Sequence, residues 1–430
     1  MKTPNTTRRA FLKTTGVAIG MPMIVPSSVL GLNGKTAPSN RIVLGGIGLG
    51  PRGRGVLKAF FKHEDCQFIA IADPQKERRE IIKRMTDVNY ENKDCVTYDD
   101  MSGVLERDDI DAVIIATGDR WHTTASIYAA RAGKDIYCEK PCAMNIQECQ
   151  ELDDTIKKHK RVFQAGTQRR SVPNFKLAVD IARSGKLGQL QEVHAGILEM
   201  QEYLEPLPEE PMPDPAEINW DKWIGPAPMI PFNKKYCVNS RWRNHKGLYA
   251  AWRLPEWGSH TIDICQWAAD ADGTTPVEFE VQSDTEIHAK YANGIKLILR
   301  LSGFAEEGNW SPNLGTCPVH FKGDEGWVEA GDHKHMVASN PELLKNKTFD
   351  QLAGTDPVEH ARDFLNCVKT REQPVCNSTA VRYGHMACFA AAISWKLGRK
   401  VKFDPVRERF IGDKEANAMR FYKRRAPYTI

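Results

Sequence analysis

A glycine-rich turn between an apolar strand and a helix constrains this chain more than any other feature. Residues 41–61 read RIVLGGIGLGPRGRGVLKAFF, in which Gly48, Gly50 and Gly53 follow a β-branched strand over residues 42–47. In this context the first glycine makes a tight turn, the second lets a diphosphate approach the backbone, and the third lets the helix pack closely on the strand. Free N–H groups at the helix start favour an anion. The sequence therefore predicts a dinucleotide-binding Rossmann fold.

An acidic residue after the next strand indicates which dinucleotide binds. Residues 67–72 are apolar and lead into Asp73, about 25 residues beyond the first glycine. A carboxylate at this position binds both ribose hydroxyls and repels a 2′-phosphate, so we expect NAD as the cofactor. NADP stays open as an alternative. Arg78 and Arg79 are near in sequence, but they belong to the next predicted helix.

Polar residues follow the ends of two further strands. Strands at 112–116 and 135–138, with a helix at 122–132 between them, continue the alternation that is typical of a parallel sheet. Ligands bind outside the carboxyl ends of such strands. Glu139 and Lys140 lie at this edge, on the side of the glycine loop, so we expect Lys140 to reach the nicotinamide ribose and the reacting carbon.

The preceding strand ends in the run ATGDRWH, which reaches the same edge. Its histidine, His122, is either a helix-cap or core residue or a catalytic one, and the sequence leaves both readings open. The candidate cofactor-binding residues are Gly48, Gly50, Arg52, Gly53, Asp73, Thr117, His122, Glu139 and Lys140.

The second half of the chain has the alternating pattern of antiparallel strands. Three runs, LQEVHAGILEM, PVEFEVQSDTEIHAKYANGIKLILRLSG and VHFKGDEGWVEA, alternate apolar and polar residues around Asn-Gly and Asp-Glu-Gly turns. We therefore expect a second α/β domain with a mainly antiparallel sheet.

Residues 240–267 are dense in arginine and tryptophan. Aromatic faces beside hydrogen-bonding side chains suit a carbohydrate. The alternative is a tryptophan cluster that packs helices together. Arg241, Trp242, Trp257 and His260 are the candidate substrate-binding residues. His260 also begins a helical pattern, and a position near a helix N-terminus would favour a neutral imidazole.

The N-terminus carries an export pattern. Arg8 and Arg9 precede a short, weakly apolar run in TTRRAFLKTTGVAIGMPMIVP, too short to span a membrane. Paired arginines of this kind are typical of the twin-arginine signal, so we expect export of the folded protein by the twin-arginine translocase to the periplasm. A cytoplasmic protein with a basic arm is the alternative. The predicted organisation is a signal at 1–33, a linker at 34–39, a Rossmann domain at 40–165 and a substrate-binding and oligomerisation domain at 166–430.

The charge balance and the cysteines argue against other classes of protein. The chain has 59 Lys and Arg against 55 Asp and Glu, which leaves a formal net charge of +4 and no nucleic-acid footprint. Eleven cysteines without a CxxC motif indicate reduced thiols, not a disulfide framework or a zinc site. His333 and His335 leave a metal pair open, but we expect no metal.

Several motifs resemble the glucose–fructose oxidoreductase, inositol dehydrogenase and MocA family, in its exported branch. They are the glycine loop, AGKDIYCEKP, GTQRRS, WIGPAP, EWGSHTIDICQWA and the C-terminal run RKVKFDPVRERFIGDKEANAMRF. The resemblance covers nearly the whole chain past residue 40. It implies a Rossmann domain joined to an α/β domain with an open-faced, mainly antiparallel sheet. Because this sheet often serves as an oligomer interface, a homo-oligomer is expected.

The resemblance also implies catalytic residues. The family's lysine falls on Lys140 and its catalytic histidine on His260. The acid four residues earlier is usually aspartate and is Glu256 in this chain. His260 would remove a hydroxyl proton as general base, and Lys140 would stabilise the developing alkoxide. Glu256 would orient the substrate or the histidine.

Three functions fit these residues. The first is a sugar or glycoside oxidoreductase that transfers a hydride from a hydroxyl-bearing carbon, with C3 as one candidate, to tightly bound NAD. The second is a redox-neutral glycosidase that oxidises, eliminates and re-reduces. The third is a non-catalytic NAD-holding protein, and the intact Lys140 and His260 argue against it.

Overall fold

The first half of the chain forms a parallel sheet, as predicted, and the sheet has six strands. The strand β4 is buried along its whole length, as expected for a parallel sheet covered on both faces. The strands are β1 (Ile42–Ile47), β2 (Cys66–Ala72), β3 (Val96–Tyr98), β4 (Ala112–Ile115), β5 (Asp135–Cys138) and β6 (Phe163–Ala165), in the order β3-β2-β1-β4-β5-β6. This order places the carboxyl ends of β1, β4 and β5 side by side.

Helices connect these strands and continue into the second half. They are α1 (Pro51–Phe60), α2 (Lys76–Tyr90), α3 (Ser102–Leu105), α4 (His122–Arg131), α5 (Ile146–His159), α6 (Pro173–Arg183), α7 (Trp220–Ile224), α8 (Leu254–Ala268), α9 (Val358–Thr370), α10 (Ser378–Leu397) and α11 (Lys414–Ala418).

The structure, a computed structural model, describes residues 40–238, 241–245, 248, 251–301, 310–333, 335–347 and 358–430. The predicted signal and linker therefore lie outside the described residues. Within those ranges, no helix is long and apolar enough to cross a membrane. All eleven cysteines are buried free thiols.

The second sheet has nine strands and is mostly antiparallel, as predicted. Its one parallel pairing among the described strands joins β7 to β10. The strands are β7 (Leu190–Gly196), β8 (Glu278–Ser283), β9 (Glu286–Lys290), β10 (Lys296–Arg300), β11 (Val319–Gly323), β12 (Trp327–Ala330), β13 (Met336–Ala338), β14 (Val401–Asp404) and β15 (Arg409–Phe410), in the order β13-β12-β11-β7-β10-β9-β8-β14-β15.

One face of this sheet forms the larger hydrophobic core with α6, α8 and α10. Val193, Leu297 and Phe321 point into that core from neighbouring strands and are fully buried. The residues that alternate with them include Glu192 and Lys296, whose carboxylate and Nζ atom lie 3.5 Å apart. The helix α8 is thereby fixed between the second sheet and α10.

The helix α9 returns from the second half of the chain to the first sheet. Phe364 and Leu365 of α9 join the hydrophobic cluster of Phe60, at the end of α1. The rings of Phe60 and Phe364 meet edge to face, with 6.0 Å between their centres. Burial of one such side chain contributes about 1.5–3 kcal/mol. The first sheet therefore depends on an element within the predicted 166–430 domain.

Residues 214–237, the covering segment, also return to the first sheet. Its backbone pairs with the start of α2, where the N–H of Lys76 donates to the carbonyl of Glu217 at 2.9 Å. The N–H of Asn219 donates to the carbonyl of Pro74 at 3.1 Å. Stacked Trp220 and Trp223 rings, 4.6 Å apart, stiffen the segment. The covering segment thus lies beside the carboxyl end of β2.

Candidate functional site

The glycine turn has the geometry that diphosphate binding requires. Gly48 has a φ of +67°, and a Cβ atom added there would overlap the side chain of Thr117 at the end of β4. An added Cβ at Gly53 would lie 2.9 Å from Leu49 and 3.1 Å from Ala116. No side chain caps the start of α1 at Gly50. The first N–H groups of α1 are therefore available to an anion.

A cavity of about 630 Å³ opens from this turn. Its volume is within the range of small-molecule sites, about 300–1,000 Å³. The lining includes the glycine turn, Asp73, the loop after β3, the end of β4 and the covering segment. The uncapped helix start and the acidic residue after β2 together fit a dinucleotide.

Asp73 lies where a ribose would bind. Its carboxylate is buried and accepts a hydrogen bond from the N–H of Gln75 at 2.9 Å. Burial raises the pKa of this carboxyl to about 6, against the opposing effect of Arg78. The carboxylate form predominates at neutral pH.

Two cavity arginines were not among the predicted cofactor-binding residues. Arg78, on α2, has its guanidinium against Gly50, and its Nη2 donates to the carbonyl of Cys237 at 2.9 Å. Arg120 lines the cavity at the end of β4. A signal for Arg120 was present, because it follows Thr117 and Gly118 directly after a buried strand.

Glu139 is buried beside the glycine loop. Its carboxylate lies 3.0 Å from the Nη2 atom of Arg52. Burial opposes the charged form, but Arg52 and Lys140 outweigh it and hold the pKa of Glu139 below its ordinary value. Gly166 leaves room for this carboxylate, because an added Cβ would lie 2.5 Å from Glu139 Oε1. Glu139 and Arg52 thus connect the glycine loop to the end of β5.

Lys140 lies between the two halves of the molecule. Its Nζ atom donates to the backbone carbonyl of Glu256 and lies 5.4 Å from the ring centre of Trp257. Burial, and then the positive charge of Arg243, lower the pKa of Lys140 to about 8. This ammonium therefore gains or loses its proton close to neutral pH.

His260 lies in the second turn of α8. The expectation that a helix begins at His260 is wrong, because α8 begins six residues earlier at Leu254. The imidazole is buried, and its Nδ1 makes no hydrogen bond. Burial, followed by the charges of Arg169 and Lys140, holds the pKa of His260 well below its ordinary value. The neutral imidazole results from burial and nearby cations, not from a helix N-terminus.

Trp257 is surrounded by the polar groups of the site. Its ring centre lies 5.7 Å from the guanidinium of Arg169 and 6.3 Å from the ring centre of His260. Arg169, not identified from the sequence, is held by Asp332 through hydrogen bonds of 2.9 and 2.6 Å. Since Lys140 also lies near this ring, the predicted lysine and the predicted histidine are both neighbours of Trp257.

The carboxylate of Glu256 contacts two arginines. It lies 3.0 Å from the Nε atom of Arg253 and 3.8 Å from the Nη1 atom of Arg243. Its backbone carbonyl, not its carboxylate, binds Lys140. The role of Glu256 in orienting a substrate or His260 stays a prediction.

Three further predicted site residues are Trp242, Arg241 and His122. Trp242 is buried and lines the dinucleotide cavity, and the side chain of Arg241 is outside the described residues. His122 is buried at the first position of α4, where its Nδ1 donates to the carbonyl of Pro141 at 2.7 Å. Burial lowers the pKa of His122 to about 4, so it is neutral. In the described part of the chain, no cluster of three or more His, Cys, Asp or Glu could hold a metal.

Comparison with known proteins identifies the family. Residues 41–167 match the oxidoreductase family's NAD-binding Rossmann fold, and residues 204–430 match its C-terminal alpha/beta domain. The chain belongs to the glucose–fructose oxidoreductase, inositol dehydrogenase and MocA family. It is therefore a member of an NAD(P)-dependent oxidoreductase family, with an NAD(P)-binding Rossmann domain.

Several curated relatives match this family member, and two of them carry sugar-related names. The rhizopine catabolism protein MocA of Rhizobium meliloti is 31% identical over 67% of this chain and 78% of its own length. A 2,7-anhydro-N-acetylneuraminate hydratase of Mediterraneibacter gnavus is 28% identical over 35% of this chain and 37% of that protein. A glycosyl hydrolase family 109 protein of Solibacter usitatus is 27% identical over 44% of this chain and 45% of that protein. The latter two alignments thus span under half of those relatives.

Solved structures share the fold. The aldose–aldose oxidoreductase of Caulobacter crescentus has a TM-score of 0.59 at 18% identity, covering 84% of this chain and all of the other. The WlbA dehydrogenase of Bordetella pertussis, in complex with NADH and UDP-GlcNAcA, has a TM-score of 0.60 at 14% identity, covering 85% of this chain and 99% of the other.

Proposed function

We propose that this protein is an exported sugar or glycoside oxidoreductase that transfers a hydride from a hydroxyl-bearing sugar carbon to tightly bound NAD. The proposal rests on one observation, which is that Lys140 and the buried, neutral His260 both lie beside the ring of Trp257. Lys140 follows β5 at the edge of the parallel sheet that carries the dinucleotide turn, and the charges of Lys140 and Arg52 act on His260. The curated relatives with sugar-related names support a carbohydrate substrate.

The residues divide the chemistry between them. Bound NAD supplies a carbon that accepts a hydride. His260 is neutral, so it can take the hydroxyl proton as that hydride leaves. Lys140 donates a hydrogen bond to the same oxygen and stabilises the negative charge that develops on it. The face of Trp257 offers an apolar surface to the C–H face of a sugar ring.

The preference for NAD rests on Asp73. Its carboxylate accepts hydrogen bonds and repels a 2′-phosphate, as the sequence indicates. Arg78 lies in the same cavity, but its Nη2 is already bound to the carbonyl of Cys237. We infer that NADP binds more weakly than NAD.

A redox-neutral glycosidase is the second candidate. It is favoured by the relatives described as a glycosyl hydrolase family 109 protein and as a hydratase. In this scheme, oxidation acidifies the neighbouring C–H, the glycosidic group is eliminated, and the hydride returns. No net reduction of the cofactor would then accumulate.

One experiment separates the candidates. Sugars and glycosides are added to purified protein, and absorbance in the reduced-nicotinamide band is followed together with product release. Lasting reduction supports the oxidoreductase, and product without lasting reduction supports the glycosidase. A lack of response to every sugar contradicts both and favours a non-catalytic NAD-holding protein.

Variants test the two assigned residues. Lys140→Ala and His260→Ala should each keep the fold and the NAD content but lower turnover at least about a hundredfold. His288→Ala is the matched control, because His288 lies on β9 and pairs with Glu286 at 2.6 Å. More than about a tenth of wild-type activity in either variant contradicts its assigned role.

Export and assembly complete the proposal. Arg8→Lys together with Arg9→Lys should leave active precursor in the cytoplasm, because folding and cofactor capture precede this transport route. Unchanged periplasmic activity would contradict the signal assignment.

We also infer that the protein forms a homo-oligomer through the outer face of the second sheet. A monomer mass measured by light scattering would contradict this inference.

A further inference from the structure

A buried arginine with an unpaired donor nitrogen lines the dinucleotide cavity. Arg120 is 4% exposed and makes no ion pair in the part of the chain that the structure describes. Arg52, which lines the same cavity, is paired with Glu139. The buried carboxylate of the neighbouring Asp119 acts on Arg120 electrostatically, but it leaves the Nη1 donor without a hydrogen bond. A buried donor without a hydrogen bond is costly, so its retention indicates an acceptor outside the chain.

The covering segment fixes this guanidinium in place. Its Nε donates to the carbonyls of Trp223 and Ile224, each at 3.1 Å, and its Nη2 donates to the carbonyl of Trp223 at 2.5 Å. The guanidinium carbon lies 3.9 Å from the ring centre of Trp223 and 5.4 Å from that of Trp242. These contacts leave only Nη1 without a hydrogen-bond partner.

The free Nη1 atom lies close to the glycine turn. It is adjacent to Gly118, where an added Cβ would overlap it. The preceding residue, Thr117, contacts Gly48 in the same way. Because β1 and β4 are neighbours, the loop that carries Arg120 adjoins the turn that receives a diphosphate. Burial lowers the pKa of Arg120 to about 10, so the guanidinium is still charged at neutral pH.

We propose that Arg120 is a diphosphate-binding residue, whose free Nη1 donates to the dinucleotide while its other nitrogens hold the covering segment. This inference rests on the proposed function, because it takes the cavity to hold a dinucleotide. The bound diphosphate supplies the hydrogen-bond acceptor that Nη1 lacks. Dinucleotide binding is thereby coupled to the seating of residues 220–225 over the cavity.

Nucleotide fragments provide the test. Purified protein is depleted of nucleotide with charcoal and titrated calorimetrically with ADP and with adenosine. Arg120→Gln should weaken ADP binding by about tenfold to a hundredfold, the range for one hydrogen bond to a charged group, and leave adenosine binding unchanged. Equal ADP affinity in the variant and the wild type overturns the inference. Equal weakening of ADP and adenosine also overturns it, since the loss would then be general.

Arg425→Gln is the matched control. Arg425 holds the same segment, with its Nε donating to the carbonyl of Gly225 at 3.1 Å and its Nη1 to Asp221 at 2.7 Å. It is not part of the cavity lining. This variant should keep wild-type ADP affinity. If it loses as much affinity as Arg120→Gln, segment anchoring alone explains the effect and the diphosphate contact is wrong.

Hydrogen exchange gives a readout that is independent of turnover. ADP should slow amide exchange in residues 220–225 of the wild type but not of Arg120→Gln. If Arg120→Gln does not fold, Arg120→Lys replaces it in this test. Lysine keeps the positive charge but lacks the forked arrangement of the guanidinium nitrogens, so ADP should no longer protect residues 220–225 from exchange. Protection equal to that of the wild type overturns the coupling. If wild-type protein binds ADP but no sugar reduces its NAD, the proposed function is wrong, whereas the inference about Arg120 is unaffected.

Discussion

At the scale of single residues, burial assigns different roles to two nitrogen bases. The pKa of His260 lies well below its ordinary value, so the imidazole is free to accept a proton. The pKa of Lys140 is lowered to about 8, so the ammonium still predominates at pH 7. An acceptor and a donor therefore face one site at the same pH. Pairs of groups whose environments fix opposite protonation states are typical of acid–base sites.

The first prediction concerns the alkaline limb of the pH profile. Lys140 must be protonated to stabilise an alkoxide, so turnover should fall as pH rises through about 8. Arg243→Gln removes a cation that depresses this pKa and should move the limb to higher pH. Arg253→Gln is the control, because Arg253 also pairs with Glu256 at 3.0 Å. The measurement is kcat against pH, and an unmoved limb in Arg243→Gln would show that another group titrates.

The second prediction concerns NAD affinity at low pH. Burial raises the pKa of Asp73 to about 6. Above that pH the carboxylate accepts both ribose hydroxyls, and below it protonation removes acceptor capacity. NAD binding should therefore weaken as pH falls through about 6, and Asp73→Asn should remove this dependence. Calorimetric titration between about pH 5 and pH 8 checks this, and Asp73→Ala should also bring NADP affinity closer to that of NAD. An identical pH dependence in Asp73→Asn would contradict the assignment.

The sequence predicts residues whose role follows from a local pattern. Gly48 and Lys140 were found because a turn, a strand end and a motif fix their positions. Arg120 and Arg169 were missed because their importance depends on partners distant in sequence, Trp223 and Asp332. A strand-end position alone does not tell which polar residue lacks a partner. That information requires the tertiary contacts of each nitrogen.

At the scale of elements, α8 carries much of the candidate site. It contributes Glu256, Trp257 and His260 within two turns. Its true start was readable, because Pro255 lies at the first turn, where proline is favoured. The helix start was assigned to His260 instead of to this proline. The strand patterns predict the fold class. They do not predict that α9 packs against the first sheet, because the amphipathic pattern of a helix does not specify which surface the helix covers.

The third prediction concerns the attachment of α8. Arg170 is fully buried and binds Asp263 of α8 at 2.7 and 2.9 Å. Arg170→Leu leaves a buried, unpaired carboxylate and should lower the free energy of unfolding by about 3–5 kcal/mol. Arg183→Leu is the control, because Arg183 pairs with the exposed Asp270 at 2.6 Å. That variant should lose less than about 1 kcal/mol. Urea denaturation measures both, and equal losses would contradict a structural role for the buried pair.

At the scale of the whole molecule, several elements enclose the dinucleotide cavity. Lys222 of the covering segment lies 2.9 Å from Asp99 and 3.2 Å from Asp100, and both aspartates line the cavity. The C-terminal tail adds Tyr428, whose ring centre lies 4.9 Å from that of Trp121. The Tyr428 hydroxyl donates to Asp221 of the covering segment at 2.6 Å. We therefore expect these contacts to slow the dissociation of a bound dinucleotide.

The fourth prediction is that NAD survives purification. An exported enzyme would meet little free NAD, so the cofactor must be retained and reset in place by a second substrate or by the returning hydride. A dissociation constant of about 1 nM corresponds to roughly −12 kcal/mol. After extensive desalting, acid release should yield close to one NAD per chain, and turnover should need no added NAD. Near-empty protein that works only with excess NAD would contradict retention.

The enclosure predicts which changes loosen the cofactor. Deletion of residues 427–430 removes Tyr428, and Lys222→Ala removes the contacts with Asp99 and Asp100, so each should speed NAD release. Lys76→Ala is the control, because it breaks only the exposed pair with Glu217 at 2.7 Å, outside the cavity lining. Release is followed by transfer of NAD to an excess of a coupled dehydrogenase. Release rates equal to wild type in both test variants would show that the glycine turn and Asp73 alone hold the cofactor.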